Sequence, residues 1–226
     1  MVEPSSLIIR TAINVDVYSN RVFSPVTSGP DRKEQYRNGI SSILELVDLE
    51  KFSRVLLVDN TISDISEISA DIRELLPSNW EIVVTKSNDY GRSNKGAGDI
   101  ETYKKLELGN YLSGYIFHHE ARLLLKNPKL INSFASNPEN SICKELPKPY
   151  LLRLIPNKTV ATGHFGIHSN LLSAFVNTVN LPDMVRLNQS IERLLCTFLK
   201  QNQVKLKPKA GYCERFNPTH LNYEEY

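Results

Sequence analysis

The chain has little of what marks the specialised classes of protein. Only 3 of its 226 residues are cysteine, and Cys143, Cys196 and Cys213 lie far apart with no C-x-x-C spacing. Neither a disulfide framework nor a zinc ribbon is indicated, and a reducing compartment fits best. A large charge of either sign is also missing. Against 27 Lys and Arg stand 25 Asp and Glu, a net charge of +2, too small to create the field on which an electrostatic nucleic-acid binder relies. No apolar run approaches the roughly 20 residues of a membrane span. The N-terminus, MVEPSSLIIRTAINVD, carries an acid ahead of its short apolar stretch and a charge inside it, unlike a signal peptide. These absences point to a cytoplasmic protein without nucleic acid as a partner. With 41% hydrophobic and 23% charged residues, the length suffices for one sizeable core, so one domain is expected, and collagen, intrinsic disorder and a secreted mini-protein are excluded.

What is present is an alternation of short apolar runs and amphipathic segments. Leu7 to Ile13 reads as a buried strand. Tyr36, Ile40, Ile43, Leu44 and Val47 recur at helical spacing. Arg54 to Val58 is a second strand that ends in Asp59-Asn60-Thr61, residues that begin turns. Asp64 and Glu67, at capping-box distance, open a helix with Ile65, Ile68, Ile72, Leu75 and Leu76 on its face, stopped by Pro77. Trp80 to Thr85 is a third strand. Strands alternating with helices predict βαβ units and a mostly parallel sheet with helices on both faces. A polar segment containing Gly91, Gly96 and Gly98 then leads into a helix carrying Ile100, Tyr103 and Leu106, and Gly114 to His118 forms the next strand. Tyr150 to Ile155 and Thr159 to His168, joined by Pro156-Asn157-Lys158, read as an antiparallel hairpin in the C-terminal half, so the sheet is expected to be mixed. Two helices follow, one with Leu171, Leu172, Phe175 and Val176, the other with Ile191, Leu194, Leu195, Phe198 and Leu199. A basic tail from Gln201 closes the chain, packed on the domain or irregular, with Tyr212 and Phe216 as its contacts.

Four segments could carry chemistry. The strand ending at Asp59-Asn60 presents a carboxylate and an amide where ligands bind in open α/β sheets; an Asx turn is the simpler account of the same residues. Asn94-Lys95-Gly96-Ala97-Gly98-Asp99 sits just before a helix, where backbone N–H groups and Lys95 could receive a phosphate. It is not a Rossmann fingerprint, since Glu101 stands in the place of the third glycine, and no GxxxxGK[ST] run exists. His118-His119-Glu120 invites a metal, but adjacent strand residues point to opposite faces, so His119 cannot join the other two, and a polar or ionic pair between Glu120 and Arg122 is the more economical reading. Thr162 to His168 sets glycines around Phe165, His164 and His168, and either histidine could stabilise a departing diphosphate.

In this order the residues resemble a nucleotide-sugar glycosyltransferase of the GT-A fold, of the family 2 type of bacterial polysaccharide synthesis. Val58-Asp59-Asn60-Thr61-Ile62-Ser63-Asp64 is similar to the family's second strand end, and Asn94 to Gly98 to its asparagine-glycine segment, with likeness from about Leu7 to Phe175. The resemblance implies a single GT-A-like, Rossmann-like domain over residues 1–200 and a tail over 201–226. It implies a nucleotide-sugar donor held by Thr11, Asp59, Asn60, Asn94, Lys95, Gly96, Gly98, Glu120 and Arg122. Sugar transfer to a glycan or lipid-linked hydroxyl, at the inner face of a membrane where the basic tail meets lipid phosphate, would use Glu192 or Asp183 as base, with His164 assisting. One departure is large. Where the family has its DxD motif, this chain reads Glu120-Ala121-Arg122, and an arginine there repels a divalent ion, so Mg or Mn is disfavoured and no metal ligand is assigned. The competing reading is a GT-A-like binding module without catalysis. A sugar-phosphate nucleotidyltransferase would need a GxGTR-like loop after the first strand, which the sequence between Ile13 and Pro30 lacks.

Overall fold

A computed structural model of the chain describes residues 3–14, 31–86, 88–144, 159–208, 211–217 and 222–225. Its centre is a five-stranded sheet made of β1 (Ser5–Thr11), β2 (Arg54–Asp59), β3 (Glu81–Val84), β4 (Tyr115–Glu120) and the later strand β6 (His164–His168), in the order β3-β2-β1-β4-β6. The first four strands run parallel and β6 is antiparallel to β4. The fold is thus α/β with a mixed, mostly parallel sheet, as the alternating sequence pattern predicts.

Strand alternation divides the interior into two cores. Leu7, Ile9, Leu57 and Phe117 point to one face, covered by α1 (Arg32–Leu46), the one-turn α2 (Ala70–Arg73) and, beyond a two-residue strand β5 (Leu124–Leu125), α4 (Lys129–Ser136). Ile8, Leu56, Val58, Ile116, Phe165 and Ile167 point to the other, covered by α3 (Lys95–Leu108), α5 (Ser169–Thr178), α6 (Leu181–Arg186) and α7 (Ile191–Gln201). Each buried Leu, Ile or Phe in these layers contributes about 1.5–3 kcal/mol.

Three elements differ from the sequence reading. The helix expected from Asp64 is instead a 3-10 turn over Ile65–Glu67, closed by the capping box of Asp64 and Glu67, followed by an extended Ile68 and then α2. Ile68 and Ile72 are buried while Ile65 stays exposed; serines and β-branched residues weaken a continuous helix, and the chain bends to seat the two isoleucines that reach the core. Gly91 lies in the turns that lead to α3, as expected, but Gly96 and Gly98 belong to the first turns of the helix, because Asn94 is the N-cap and accepts from the Ala97 N–H. The first arm of the expected hairpin, Tyr150 to Ile155, lies outside the described residues, and its second arm is β6, paired with β4. An antiparallel hairpin does occur in the C-terminal half, formed by β7 (Cys213–Asn217) and β8 (Asn222–Glu225), and β7 also pairs with β5 to make a second, three-stranded sheet. Helices α4 and α6 were not anticipated. Among the described residues, no helix is long and apolar enough to cross a membrane.

Helix α1 lies so close to the turn after β4 that a Cβ on Gly39 would fall on the carbonyl oxygen of Ala121 and within 2.9 Å of that of Leu123. Backbone cannot yield as a side chain can. Gly39→Ala is expected to lower stability by about 2 kcal/mol or more, measured by urea denaturation, with a change below the error of the measurement excluding this close approach.

Candidate functional site

The parallel register ends β1, β2 and β4 at one level, with Thr11 opposite Asp59 and Arg10 opposite Glu120. Beyond these ends, on the α3 side of the sheet, opens a cavity of about 1040 Å³. Its floor and walls come from Arg10 on β1, His118 and Glu120 on β4, Arg122 just after it, and the start of α3 with Asn94, Lys95, Gly96 and Asp99. Ser93, Thr162, Val185, Arg186, residues 188–192 and Arg215 on β7 complete the lining. The location is the one at which ligands gather in open α/β sheets.

Charge in the cavity is arranged in pairs. Arg122 holds Glu120 bidentately, Nε to Oε1 at 2.6 Å and Nη2 to Oε2 at 3.2 Å. Burial alone would raise the Glu120 carboxyl, but Arg122 and Lys95 more than offset it and hold the group ionised, well below the usual carboxylate range. Arg10 reaches Asp99 in the first turns of α3 at 2.5 Å, and burial nonetheless pushes that carboxyl up to about 6. Lys95 is lowered to about 8 by burial first and by the positive charge of Arg122 second. Among the described residues the lining carries five cations, Arg10, Lys95, Arg122, Arg186 and Arg215, against three carboxylates, Asp99, Glu120 and Glu192, with Arg186 paired to Asp183 outside the lining. His118 is neutral, lowered to about 3 by burial and by Arg10; Tyr103 Oη shares a hydrogen bond with its Nδ1 at 2.8 Å, and Phe165 stacks on the ring. The first-turn N–H groups of a helix have no intrahelical acceptor, so α3 adds its positive end at Lys95 and Gly96, where the lining is.

The anticipated site residues separate into two sets. Asn94, Lys95, Gly96, Glu120, Arg122 and Glu192 line the cavity. Glu192, in the first turn of α7, accepts at long range from Thr162 Oγ1, 3.5 Å away. Asn94 supports the wall, donating from Nδ2 to the carbonyls of Gln189 at 3.0 Å and Met184 at 3.4 Å. Gly96 is small because α6 and α7 press on it: a Cβ there would meet Met184 at 2.8 Å and Ile191 at 2.9 Å.

The other set lies elsewhere. Asp59 is buried on the α1 face, with both carboxylate oxygens engaged from within the fold. Its Oδ2 accepts from Thr11 Oγ1 at 2.7 Å and Ile13 N–H at 2.8 Å, and its Oδ1 from the Thr61 N–H at 2.6 Å, Thr61 Oγ1 at 2.7 Å and the Ile62 N–H at 3.1 Å. This is the Asx-turn account of the VDNT segment, with Thr11 as its partner. Asn60 is buried beneath the cavity and donates to Asn88 Oδ1 and the Gly98 carbonyl. Gly98 lets the 88–91 turn approach, since a Cβ there would lie 2.7 Å from Asn88 Oδ1. Asp183 is partly exposed on α6 and pairs with Arg186 at 2.7 Å. His164 faces the α1 side of the sheet, against His119. The sequence reading missed Arg10 and Arg215, whereas Asp99 closes the Asn94–Asp99 segment it singled out and His118 lies on the cavity face with Glu120, as strand alternation predicts. Arg10 carried a signal, a lone cation in an otherwise apolar strand; Arg215 carried none, because only the β5–β7 pairing brings it to the cavity.

No protein-family model and no curated protein matches the sequence. Among solved structures the chain is similar to a 4-diphosphocytidyl-2C-methyl-D-erythritol synthase at 9% identity and a TM-score of 0.44, covering 84% of this chain and 86% of that one. It is similar to UDP-glucose pyrophosphorylase from Acinetobacter baumannii at 10% identity and a TM-score of 0.41, covering 85% and 84%, and to a UTP-bound form at 9% and 0.39, covering 85% and 84%.

Lys95 loses its charge as pH rises through about 8. Above that pH, an anion that needs the lysine charged must bind together with a proton, so its affinity falls by up to about tenfold per pH unit. Titration calorimetry with uridine diphosphate, whose phosphates are fully ionised in this range, should show that decline in the wild type and a flatter profile in Lys95→Met. An identical decline in both proteins would exclude Lys95 as the responsible group.

Proposed function

We propose that the cavity binds a nucleoside diphosphate-linked sugar and that the protein transfers the sugar to a hydroxyl of a glycan or lipid-linked acceptor. One observation carries the reading: Lys95, the Glu120–Arg122 pair, the start of α3 and Glu192 converge on one cavity at the carboxyl ends of β1 and β4. A diphosphate is a compact dianion or trianion, and guanidinium, ammonium and helix N–H groups are its natural partners.

In the reaction the bond between the anomeric carbon and the diphosphate oxygen breaks and a bond from the acceptor oxygen forms. Negative charge grows on the departing diphosphate, where Lys95 and Arg122 lie ready to stabilise it. The acceptor proton passes to a base, and Glu192 is the lining carboxylate that, among the described residues, no arginine pairs with. A divalent cation of the GT-A type does not fit the Glu-Ala-Arg position. Glu120 offers the one carboxylate there, and both of its oxygens accept from Arg122. The second reading, a binding module without transfer, is favoured by the same pairing, since it closes off the place where catalytic carboxylates would hold a donor cation.

A panel of UDP-, GDP-, CMP- and dTDP-sugars is expected to contain at least one ligand that raises the melting temperature equally with and without Mn. Glu192→Gln should abolish product formation from that donor while leaving its binding nearly intact. Binding with neither transfer nor donor hydrolysis in the wild type would select the binding module. Unchanged turnover in Glu192→Gln would remove Glu192 from the role of base, and strict dependence on Mn would overturn the metal-independent reading.

A further inference from the structure

Away from the cavity, on the α1 face of the sheet, three residues distant in sequence meet in the interior: His119 on β4, His164 on β6 and Cys213 on β7. One donor atom from each lies within 4.8 Å of the others, and all three residues are at least 95% buried. Nδ1 of His119 and Nδ1 of His164 are 2.9 Å apart. Nε2 of His119 donates to the Leu123 carbonyl at 3.2 Å, which leaves its Nδ1 lone pair directed at His164. A backbone carbonyl that fixes the tautomer of an imidazole in this way is the usual outer support of a metal-ligating histidine. His164, itself buried, has an Nε2 without a hydrogen-bond partner among the described residues. Phe117, edge-on to His164 at 4.7 Å between ring centroids, supplies an apolar wall.

We propose that His119, His164 and Cys213 form a buried binding site for one borderline-soft divalent ion, of which Zn²⁺ is the type. The donors are two imidazoles and a sulfur, which suit zinc and its neighbours and not Mg or Mn. With Zn–N near 2.0–2.1 Å and Zn–S near 2.3 Å, tetrahedral ligands stand roughly 3.3–3.6 Å apart. The two imidazole nitrogens, 2.9 Å apart, must open by about 0.4 Å, and donors at the 4.8 Å limit must close by about 1.2 Å, a change that rotation of the rings and the thiol, with a small movement of β7, would supply. Three protein ligands leave one position for water or a further group. Binding releases the Cys213 thiol proton to solvent and leaves both histidines neutral. All three cysteines are thiols, so the sulfur is not consumed by a disulfide.

The site has a structural consequence for the cavity. Cys213 and Arg215 share strand β7, and Arg215 lines the cavity. An ion at Cys213 would tie the C-terminal sheet to β4 and β6, and so hold Arg215 in place. This inference does not depend on the identity of the cavity's ligand.

The test is titration of the full chain, freed of metal by a chelator and kept reduced, with Co²⁺. One equivalent should produce visible d–d bands and a sulfur-to-cobalt charge-transfer band in the near ultraviolet. One equivalent of Zn²⁺ should erase both and raise the melting temperature. Cys213→Ser should lose the charge-transfer band, and His164→Asn should weaken Co²⁺ binding at least tenfold. The wild-type spectrum decides the matter even where a variant fails to fold. Absence of the charge-transfer band at stoichiometric Co²⁺, or its persistence in Cys213→Ser, overturns the site.

Discussion

The register of three parallel strands is the constraint on which the rest of the molecule depends. Thr11 opposite Asp59 and Arg10 opposite Glu120 bring the carboxyl ends of β1, β2 and β4 to one edge. Side chains alternate along each strand. Arg10, Asn60, His118 and Glu120 therefore face α3, while Thr11, Asp59 and His119 face α1. A slip of one residue in β4 would exchange Glu120 with His119, remove from the cavity the carboxylate that Arg122 holds and bury a charge against α1. The apolar residues between them forbid the slip, because Phe117 and Ile116 would have to trade cores as well.

Electrostatics in the cavity then follow from proximity. The carboxylates of Asp99 and Glu120 would be costly to bury unaccompanied, and both have a guanidinium within hydrogen-bond distance: Arg10 for Asp99 and Arg122 for Glu120. The pairs hold their members in defined orientations, and Lys95 adds a further positive charge beside them. That burial and Arg122 lower Lys95 to about 8 is the mark of a cation held in an unfavourable place, a strain that an anionic ligand would relieve.

The C-terminal segment joins the two faces of the molecule. Strand β7 pairs with β5, which follows β4 by a short turn under α1. From that strand Cys213 enters the interior beside His119 and His164, while Arg215 reaches the cavity. A segment that reads as a basic tail in sequence is thus coupled both to the core and to the candidate site.

What the sequence determined by itself were the elements whose signal is local and repetitive. The buried strands, the long α1 with its 3.6-residue period, the α3 helix and the capping box at Asp64 are written in neighbouring residues, and the alternation of strand and helix implied the parallel sheet. Lys95, Glu120 and Arg122 were legible as candidates for one cavity because they stand at a strand end or helix start, the positions that open α/β sheets expose to ligands, while Glu192 entered through the family resemblance. Tertiary structure alone decided the rest. Asp59 and Glu120 look alike in sequence, an acid ending an apolar strand, yet strand parity sends one to the α1 face, where five donors saturate it, and the other to the cavity. The short α2 bends where core packing outweighs helical periodicity. His119, His164 and Cys213 are separated by 45 residues and more, and no local pattern joins them; only the pairing of β4 with β6 and of β5 with β7 brings an imidazole pair and a thiol together, because long-range contacts are set by the packing of whole strands and not by the residues that happen to meet.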